Sequence, residues 1–316
     1  MYLTAGLHRA LRNHPQKNAV ISGARRKTYE QLVARVASLA TSFKQLGLVP
    51  GDRVVILAQN SDKFIESLMA CWWAGLVTIP LNTRWNKQEI DYALNDCQPR
   101  IILTDLALKK QLETVEQFPS SVQQKILLDS ETCVEGYQDF EQLCNHSEVV
   151  EDLRVDKDEL AAIIYTGGTT GFSKGVMLSH ANIWASLIGR MAESANPPEF
   201  VTLLTSPLFH VAGLGRMLGQ MIVGGTCVTI PAFQADNVID LIQRENVTDL
   251  VIVPSMLHML LEQSNFNEAN LPSFKRILWG AAPITMTLLE KAMKTFPKLE
   301  FIHAYGICLL YTSDAA

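Results

Sequence analysis

The stretch Tyr165-Thr166-Gly167-Gly168-Thr169-Thr170-Gly171-Phe172-Ser173-Lys174-Gly175 places three glycines and three threonines ahead of a lone lysine. Glycine lets backbone N–H groups converge on an anion with no Cβ in the way, threonine hydroxyls add donors, and lysine supplies a point charge. The apolar run Ala161-Ala162-Ile163-Ile164 enters this stretch as a buried strand, and Val176-Met177-Leu178 leaves it as another. A loop held by strands at both ends is pre-organised to grip phosphate, whereas flexible Gly/Thr linkers are not bracketed in this way. The Walker pattern is excluded, because it needs Gly-Lys-Ser/Thr after four spacer residues and here Lys174 follows Ser173 and precedes Gly175.

Outward from the loop, strand and helix alternate through short connections. Toward the N-terminus, Ala19-Val20-Ile21 reads as a strand. Thr28 with Gln31 forms a capping box for a helix whose apolar face is Leu32, Val36, Leu39, Phe43 and Leu46, ended by Gly47. Strands are predicted at 54–57, 77–80 and 101–103, with helices at 61–75 and 88–95. On the other side Ser179 caps a helix carrying Ile183, Leu187 and Met191. Strands predicted at 201–205, 227–230, 250–253, 276–279 and 300–303 then alternate with helices at 213–222, 237–244, 256–262 and 285–294. Continuous apolar strands in this alternation predict an α/β fold of layered parallel β-sheets flanked by helices. The pattern divides into a first subdomain over 1–190, which holds the loop, and a second over 191–307, with the break near Asn196-Pro197-Pro198. Residues 130–158 are acidic and irregular, which predicts a solvated connection with one short helix and no partner.

Composition narrows the classes. With 48% hydrophobic and 19% charged residues over 316 positions, the chain can bury a large core and is not disordered. A net charge of −5 gives no basic footprint, so nucleic acid is not an expected partner. Cysteines at 71, 97, 133, 144, 227 and 308 form no metal or CxxC spacing and read as reduced thiols. The longest uncharged run, 217–233, is broken by Gly224-Gly225 and Pro231, too short to span a bilayer. The first residues lack a charged segment followed by an apolar one, so a cytoplasmic location is expected.

Open α/β sheets bind ligands beyond the carboxyl ends of their strands. Three segments fall there: Ser206-Pro207-Leu208-Phe209-His210-Val211-Ala212-Gly213, Gly280-Ala281-Ala282-Pro283 and Ala304-Tyr305-Gly306. With the loop, and in this order, they resemble the adenylate-forming superfamily, which includes acyl-CoA synthetases, peptide-synthetase adenylation domains and beetle luciferases. The resemblance covers about residues 10 to 307. It implies the large N-terminal domain of such enzymes, without the small C-terminal domain.

Carried over residue by residue, the resemblance has Thr166, Gly167, Gly168, Thr169, Thr170, Gly171 and Lys174 gripping the β- and γ-phosphates of ATP, with Ser173 replacing the family's usual proline. It sets Gly280, Ala281, Ala282 and Pro283 against adenine, and Ala304, Tyr305 and Gly306 at the segment whose tyrosine stacks on the base. Phe209, His210 and Gly280 would face the substrate carboxylate, and Lys174 and His210 would be the catalytic side chains. ATP, magnesium and CoA are the implied cofactors and co-substrates. No metal ligand is expected in this chain, because the family's Thr-Glu after the Tyr-Gly pair is replaced by Ile307-Cys308-Leu309.

The implied chemistry is attack of a carboxylate on the α-phosphorus of ATP, giving acyl-AMP and pyrophosphate, followed by transfer of the acyl group to CoA. No Asp or Glu lies between Val201 and Phe233 to pair with an α-ammonium, so a fatty, aryl or other carboxylic acid fits better than an amino acid. An adenylating enzyme that loads a carrier protein, a luciferase-like oxidase and a nucleotide-binding fragment without turnover remain alternatives. A homodimer is neither required nor excluded.

From Cys308 to Ala316 the sequence matches one reading frame of a common transposon sequencing adapter, and the resemblance stops at the same place. These residues are therefore expected not to be native, and the chain as written to make no acyl-AMP and to be poorly soluble. Sequencing the source DNA across the junction checks this: methionine or isoleucine at position 307 followed by Thr-Glu is the expected result, and a genuine stop codon directly after Ala316 the opposing one.

Overall fold

The computed structural model describes residues 2–130, 134–166, 173–194 and 197–306. Helix α1 (Ala5–Asn13) precedes a hairpin of β1 (Asn18–Ser22) and β2 (Arg25–Thr28), turned at Gly23 with a positive φ of 61°. Next come α2 (Tyr29–Gln45), β3 (Arg53–Leu57), α3 (Asp62–Trp73), β4 (Val77–Pro80), α4 (Lys87–Cys97) and β5 (Ile101–Thr104). Helix α5 (Leu106–Leu112), β6 (Gln124–Leu127), β7 (Gln138–Asp139) and α6 (Phe140–Leu143) lead to β8 (Leu160–Tyr165) and β9 (Gly175–Ser179). Then follow α7 (His180–Glu193), β10 (Val201–Leu204), α8 (Val211–Val223), β11 (Thr226–Thr229), α9 (Ala235–Arg244) and β12 (Asp249–Ile252). Helix α10 (Pro254–Leu261), β13 (Arg276–Gly280), α11 (Met286–Thr295) and β14 (Glu300–Ala304) complete the described chain.

The strands form two seven-stranded sheets, in the orders β7-β6-β5-β3-β4-β8-β9 and β14-β13-β12-β10-β11-β1-β2. Within each, all neighbours run parallel except the terminal pair, β8–β9 in the first sheet and β1–β2 in the second. The layered α/β architecture expected from the sequence is therefore present. The opening hairpin crosses the division at 190: β1 pairs with β11, so residues 18–28 belong to the sheet of the second half.

Three apolar cores separate five layers. Helices α4 and α5 cover the outer face of the first sheet through Ile90, Leu94, Leu108 and Leu112. Helices α9, α10 and α11 cover the outer face of the second through Val238, Ile242, Leu257 and Ala292. Between the sheets lie α1, α2, α3 and α8, and every residue of α3 is buried. That burial includes three charges, which is tolerable because each is paired. Asp62 meets Arg25 at 2.7 Å and Lys27 at 2.6 Å, Glu66 meets Lys27 at 2.5 Å and Arg35 at 2.8 Å, and Lys63 meets Glu141 at 2.6 Å.

The capping box read at Thr28 and the cap read at Ser179 both form, and at Ser179 the Asn182 side chain completes a second box. The segment 130–158 departs from its expectation. Although irregular, it is anchored: Glu141 pairs with Arg35 and Lys63, Phe140 is fully buried, and Asp152 shares 2.6 Å hydrogen bonds with Thr4 and His8. Two of its carboxylates, Glu141 and Asp152, have cationic and hydroxyl partners far away in sequence, which no local pattern reveals.

Burial opposes ionisation of Asp62, but Arg25 and Lys27 overcome it and hold the carboxyl well below the usual range. Because the folded pKa lies below the unfolded value of about 3.9, this pair's stabilisation is complete above that value and is lost as pH falls through the folded one. Asp62→Asn should cost about 1–3 kcal/mol, the worth of hydrogen bonds to a charged group, since half-exposed Arg25 stays hydrated and Lys27 keeps Glu66. Urea midpoints between pH 7 and 3 should show a shallower acid loss in the variant than in the wild type.

Candidate active site

Parallel strands deliver their carboxyl ends to one rim, and the two sheets bring two such rims together. The segments that follow β3, β4, β10, β11, β12 and β13 enclose a cleft of about 610 Å³. The first sheet contributes Gln59, Asn60 and Arg84, and the second contributes Phe209, His210, Phe233, Met256 and Ala281. No Asp or Glu is among the residues lining it.

Asn60 fixes this meeting. Its Nδ2 donates to the carbonyls of Leu204, at 3.2 Å, and Ser206, at 2.9 Å, while its Oδ1 accepts from the Leu208 N–H at 2.8 Å. The side chain is buried, so each unmade bond would cost about 1–3 kcal/mol. The loop it holds leads directly to Phe209 and His210. Gly213 is required there as well, since a Cβ on it would lie 2.2 Å from the Pro207 carbonyl oxygen.

His210 occupies the N-cap of α8 without a side-chain capping bond, leaving its ring to face the cleft beside Phe209, with ring centroids 4.6 Å apart. Surrounding protein and then the charge of Arg84 lower its pKa, so the imidazole is neutral at pH 7. In that state one ring nitrogen donates a hydrogen bond and the other accepts one.

The loop quoted first connects the antiparallel strands β8 and β9, and its neck is closed by the Thr166 N–H donating to the Lys174 carbonyl at 3.0 Å. Thr166 and Lys174 are described and Lys174 is exposed; Gly167, Gly168, Thr169, Thr170 and Gly171 lie outside the described residues. Tyr165, just before the neck, donates to Asp96 Oδ2 at 2.6 Å and meets Trp85 edge-on at 5.7 Å. Trp85 follows Arg84, so the neck stands beside the wall of the cleft.

The small-residue turn begins at Gly280, where a Cβ would lie 2.2 Å from the Ala304 carbonyl oxygen, so glycine permits the ends of β13 and β14 to meet. Ala281 has a φ of 63°, a left-handed conformation that costs a non-glycine residue and is retained here at the cleft wall. Ala282, Pro283, Ala304, Tyr305 and Gly306 are exposed around it.

The structure thus gathers Phe209, His210 and Ala281 in one cleft, with Gly280 and Ala304 in contact behind them; Thr166 and Lys174 do not line that cleft but close the neck of the loop. Asn60 and Arg84 were not singled out from the sequence. Their positions just past β3 and β4 are the signal that could have found them. Among the described residues no three His, Cys, Asp or Glu side chains converge as a metal site, and no helix is long and apolar enough to cross a membrane.

The chain belongs to the family described as AMP-binding enzyme, whose model matches residues 7–308. Among its relatives are a feruloyl-CoA synthase of Amycolatopsis sp, 30% identical over 95% of this chain and 58% of that protein, and the 2-succinylbenzoate–CoA ligase of Arabidopsis thaliana, 30% identical over 92% of this chain and 54% of that protein. The chain therefore spans little more than half the length of these curated relatives. The N-terminal domain of FACL13 from Mycobacterium tuberculosis superposes with a TM-score of 0.88 at 24% identity, covering 98% of this chain and 77% of that one. MatB from Rhodopseudomonas palustris does so with a TM-score of 0.84 at 26% identity, covering 97% and 60%.

The influence of Arg84 on His210 can be measured. In Arg84→Gln the His210 pKa should rise, since a nearby like charge is removed, while the burial contribution keeps it below about 6.5. Following the His210 ring protons by NMR through pH 4 to 8 checks this; an unchanged midpoint would place Arg84 too far away to act.

Proposed function

We propose that the whole protein is an acid–thiol ligase: a carboxylic acid attacks the α-phosphorus of ATP, pyrophosphate leaves, and the thiol sulfur of CoA then attacks the acyl carbonyl and expels AMP. The observation that carries this reading is the family match over residues 7–308 together with a cleft that joins the His210 segment to the Gly280-Ala281 turn, beside the neck of the Gly/Thr loop. Relatives named for feruloyl and 2-succinylbenzoate substrates support CoA as the acceptor.

In this reading the backbone N–H groups of 167–171 and the Lys174 ammonium bind the β- and γ-phosphates, and Arg84 adds positive charge at the cleft wall beside the neck of the loop. Gly280, Ala281, Ala282 and Pro283 offer a thin backbone surface to adenine, with Ala304, Tyr305 and Gly306 alongside. Magnesium bound to the phosphates would supply further charge neutralisation. His210, neutral and held at the start of α8, orients the acid's carboxylate beside Phe209.

A second reading, transfer to a carrier-protein thiol, is favoured by a relative named as a fatty acid–[acyl-carrier-protein] ligase, 29% identical over 92% of the chain. AMP release with free CoA compared with an acyl carrier protein separates the two.

In the full-length protein, Lys174→Ala should lower kcat/KM for ATP by at least about tenfold, the loss expected for one charge-assisted contact. His210→Ala should impair acyl-AMP or thioester formation while leaving the affinity of the free enzyme for ATP unchanged. Pyrophosphate exchange and calorimetry read the two effects, and an unaltered kcat/KM for ATP in Lys174→Ala would refute the assignment.

A further inference from the structure

The short segment that carries Asn60 is itself held from two sides. On one side Ser61 caps α3 by accepting from the Phe64 N–H at 3.1 Å, and Asp62 is paired to Arg25 and Lys27. On the other the Gln59 N–H donates to Oδ2 of Asp105 at 2.7 Å. Strands β3 and β5 are parallel neighbours with Leu57 beside Thr104, so the chains leaving them emerge side by side, one toward α3 and the other toward α5. Asp105 ties these two paths together at the rim.

Its other oxygen, Oδ1, accepts from the Leu108 N–H at 2.8 Å and so caps α5. A cap alone does not call for a carboxylate, because Ser, Thr or Asn serves as well. Helix α5 also has a second acceptor at its start, the Asp129 carboxylate, which takes the Leu106 N–H at 2.8 Å. What the Asp105 carboxylate adds is acceptance at two oxygens at once: an amide would turn its NH2 toward one of the two N–H donors, and a serine offers a single oxygen one bond nearer the backbone. Asp105 is buried, and among the described residues no cation pairs with it. Burial pushes its carboxyl up, against the two N–H bonds that favour the ionised form. Placing an unpaired carboxylate in the interior is costly, more so than capping one short helix requires.

From Asp105 the connection continues without a break. Gln59 lines the cleft, and Asn60, the next residue, binds the Leu204 and Ser206 carbonyls and the Leu208 N–H, which sets the path of the chain into Phe209 and His210. We propose that Asp105 is a positioning residue for acid activation: through the Gln59 N–H it fixes the peptide that carries the Asn60 amide, and through that amide it fixes the place of His210.

This assignment rests on the acid-activation reading, so one arm of the test uses no substrate. In the full-length protein Asp105→Ser, which keeps a cap for α5 but withdraws the acceptor from Gln59, should lower kcat for acyl-AMP formation at least about tenfold, the scale of loss for a displaced reacting group. Calorimetry should find its affinity for ATP with magnesium unchanged. Asp129→Ala, which loosens the start of α5 and leaves Gln59 alone, should keep the wild-type kcat even where its urea midpoint falls as far as that of Asp105→Ser. With Asn60→Ala already in place, Asp105→Ser should lower kcat no further, because both act through one amide. Without substrate, the His210 ring protons followed by NMR should shift in Asp105→Ser and in Asn60→Ala and stay in place in Asp129→Ala. An unchanged kcat in Asp105→Ser, an equal loss in Asp129→Ala, losses that add to that of Asn60→Ala, or His210 resonances that do not move would overturn the link. A wild-type protein that forms no acyl-AMP from any carboxylic acid would sink the ligase reading instead, and the NMR arm would still decide whether Asp105 holds His210.

Discussion

The site depends on one amide. Each parallel sheet alone offers a rim of strand ends, but a cleft appears only where the two rims are held in fixed relation, and Asn60 makes that connection. Standing just beyond β3 in the first sheet, it satisfies two carbonyls and one N–H of the segment beyond β10 in the second. Bonds to buried backbone are directional and expensive to leave unmade, so the amide fixes not only the distance between the sheets but the path of the chain toward His210. Gly213 completes the constraint from the other side, because any side chain there would push α8 off the Pro207 carbonyl.

The layers between the sheets show why that relation is rigid. Helix α3 is buried on all sides yet carries Asp62, Lys63 and Glu66, and α8 is almost as enclosed yet carries Arg216 and Gln220. An apolar helix could slide between two apolar faces at little cost. Buried charges that must each find one partner cannot, so the pairs with Arg25, Lys27, Arg35 and Glu141 set the register of α3 against β2, α2 and α6. This specificity comes at the cost of desolvating the charges, and the family's ligand site is where rigidity has value.

What the sequence made legible was whatever is encoded locally. The capping box at Thr28, the cap at Ser179, apolar strands such as Val54 to Leu57 and Ile101 to Leu103, and the Gly/Thr loop all announce themselves within a few residues. The β2 strand was missed because Arg25, Arg26 and Lys27 look like a solvated turn; it is an edge strand whose cations find Asp62, Glu66 and Glu245 at long range. Helix α5 and strand β6 lie in a stretch where Lys109, Lys110 and Gln124 dilute the apolar period. Asn60 and Arg84 escaped for the same reason in sharper form. A single Asn or Arg after a strand carries no signature until the opposite sheet is in place.

On the proposed chemistry the electrostatics of the cleft have one dominant task. A carboxylate must approach a nucleotide that is itself several times negative, and two unit charges at 4 Å repel by about 4 kcal/mol at an effective dielectric of 20. A cleft wall with any ionised Asp or Glu would add to that barrier. The residues lining this one include none, and Arg84 stands among them. A charged imidazole at position 210 would attract the acid but hold it in the ground state, where tighter binding does not speed the reaction. The neutral ring, kept so by the surrounding protein and by Arg84, can orient the carboxylate without trapping it.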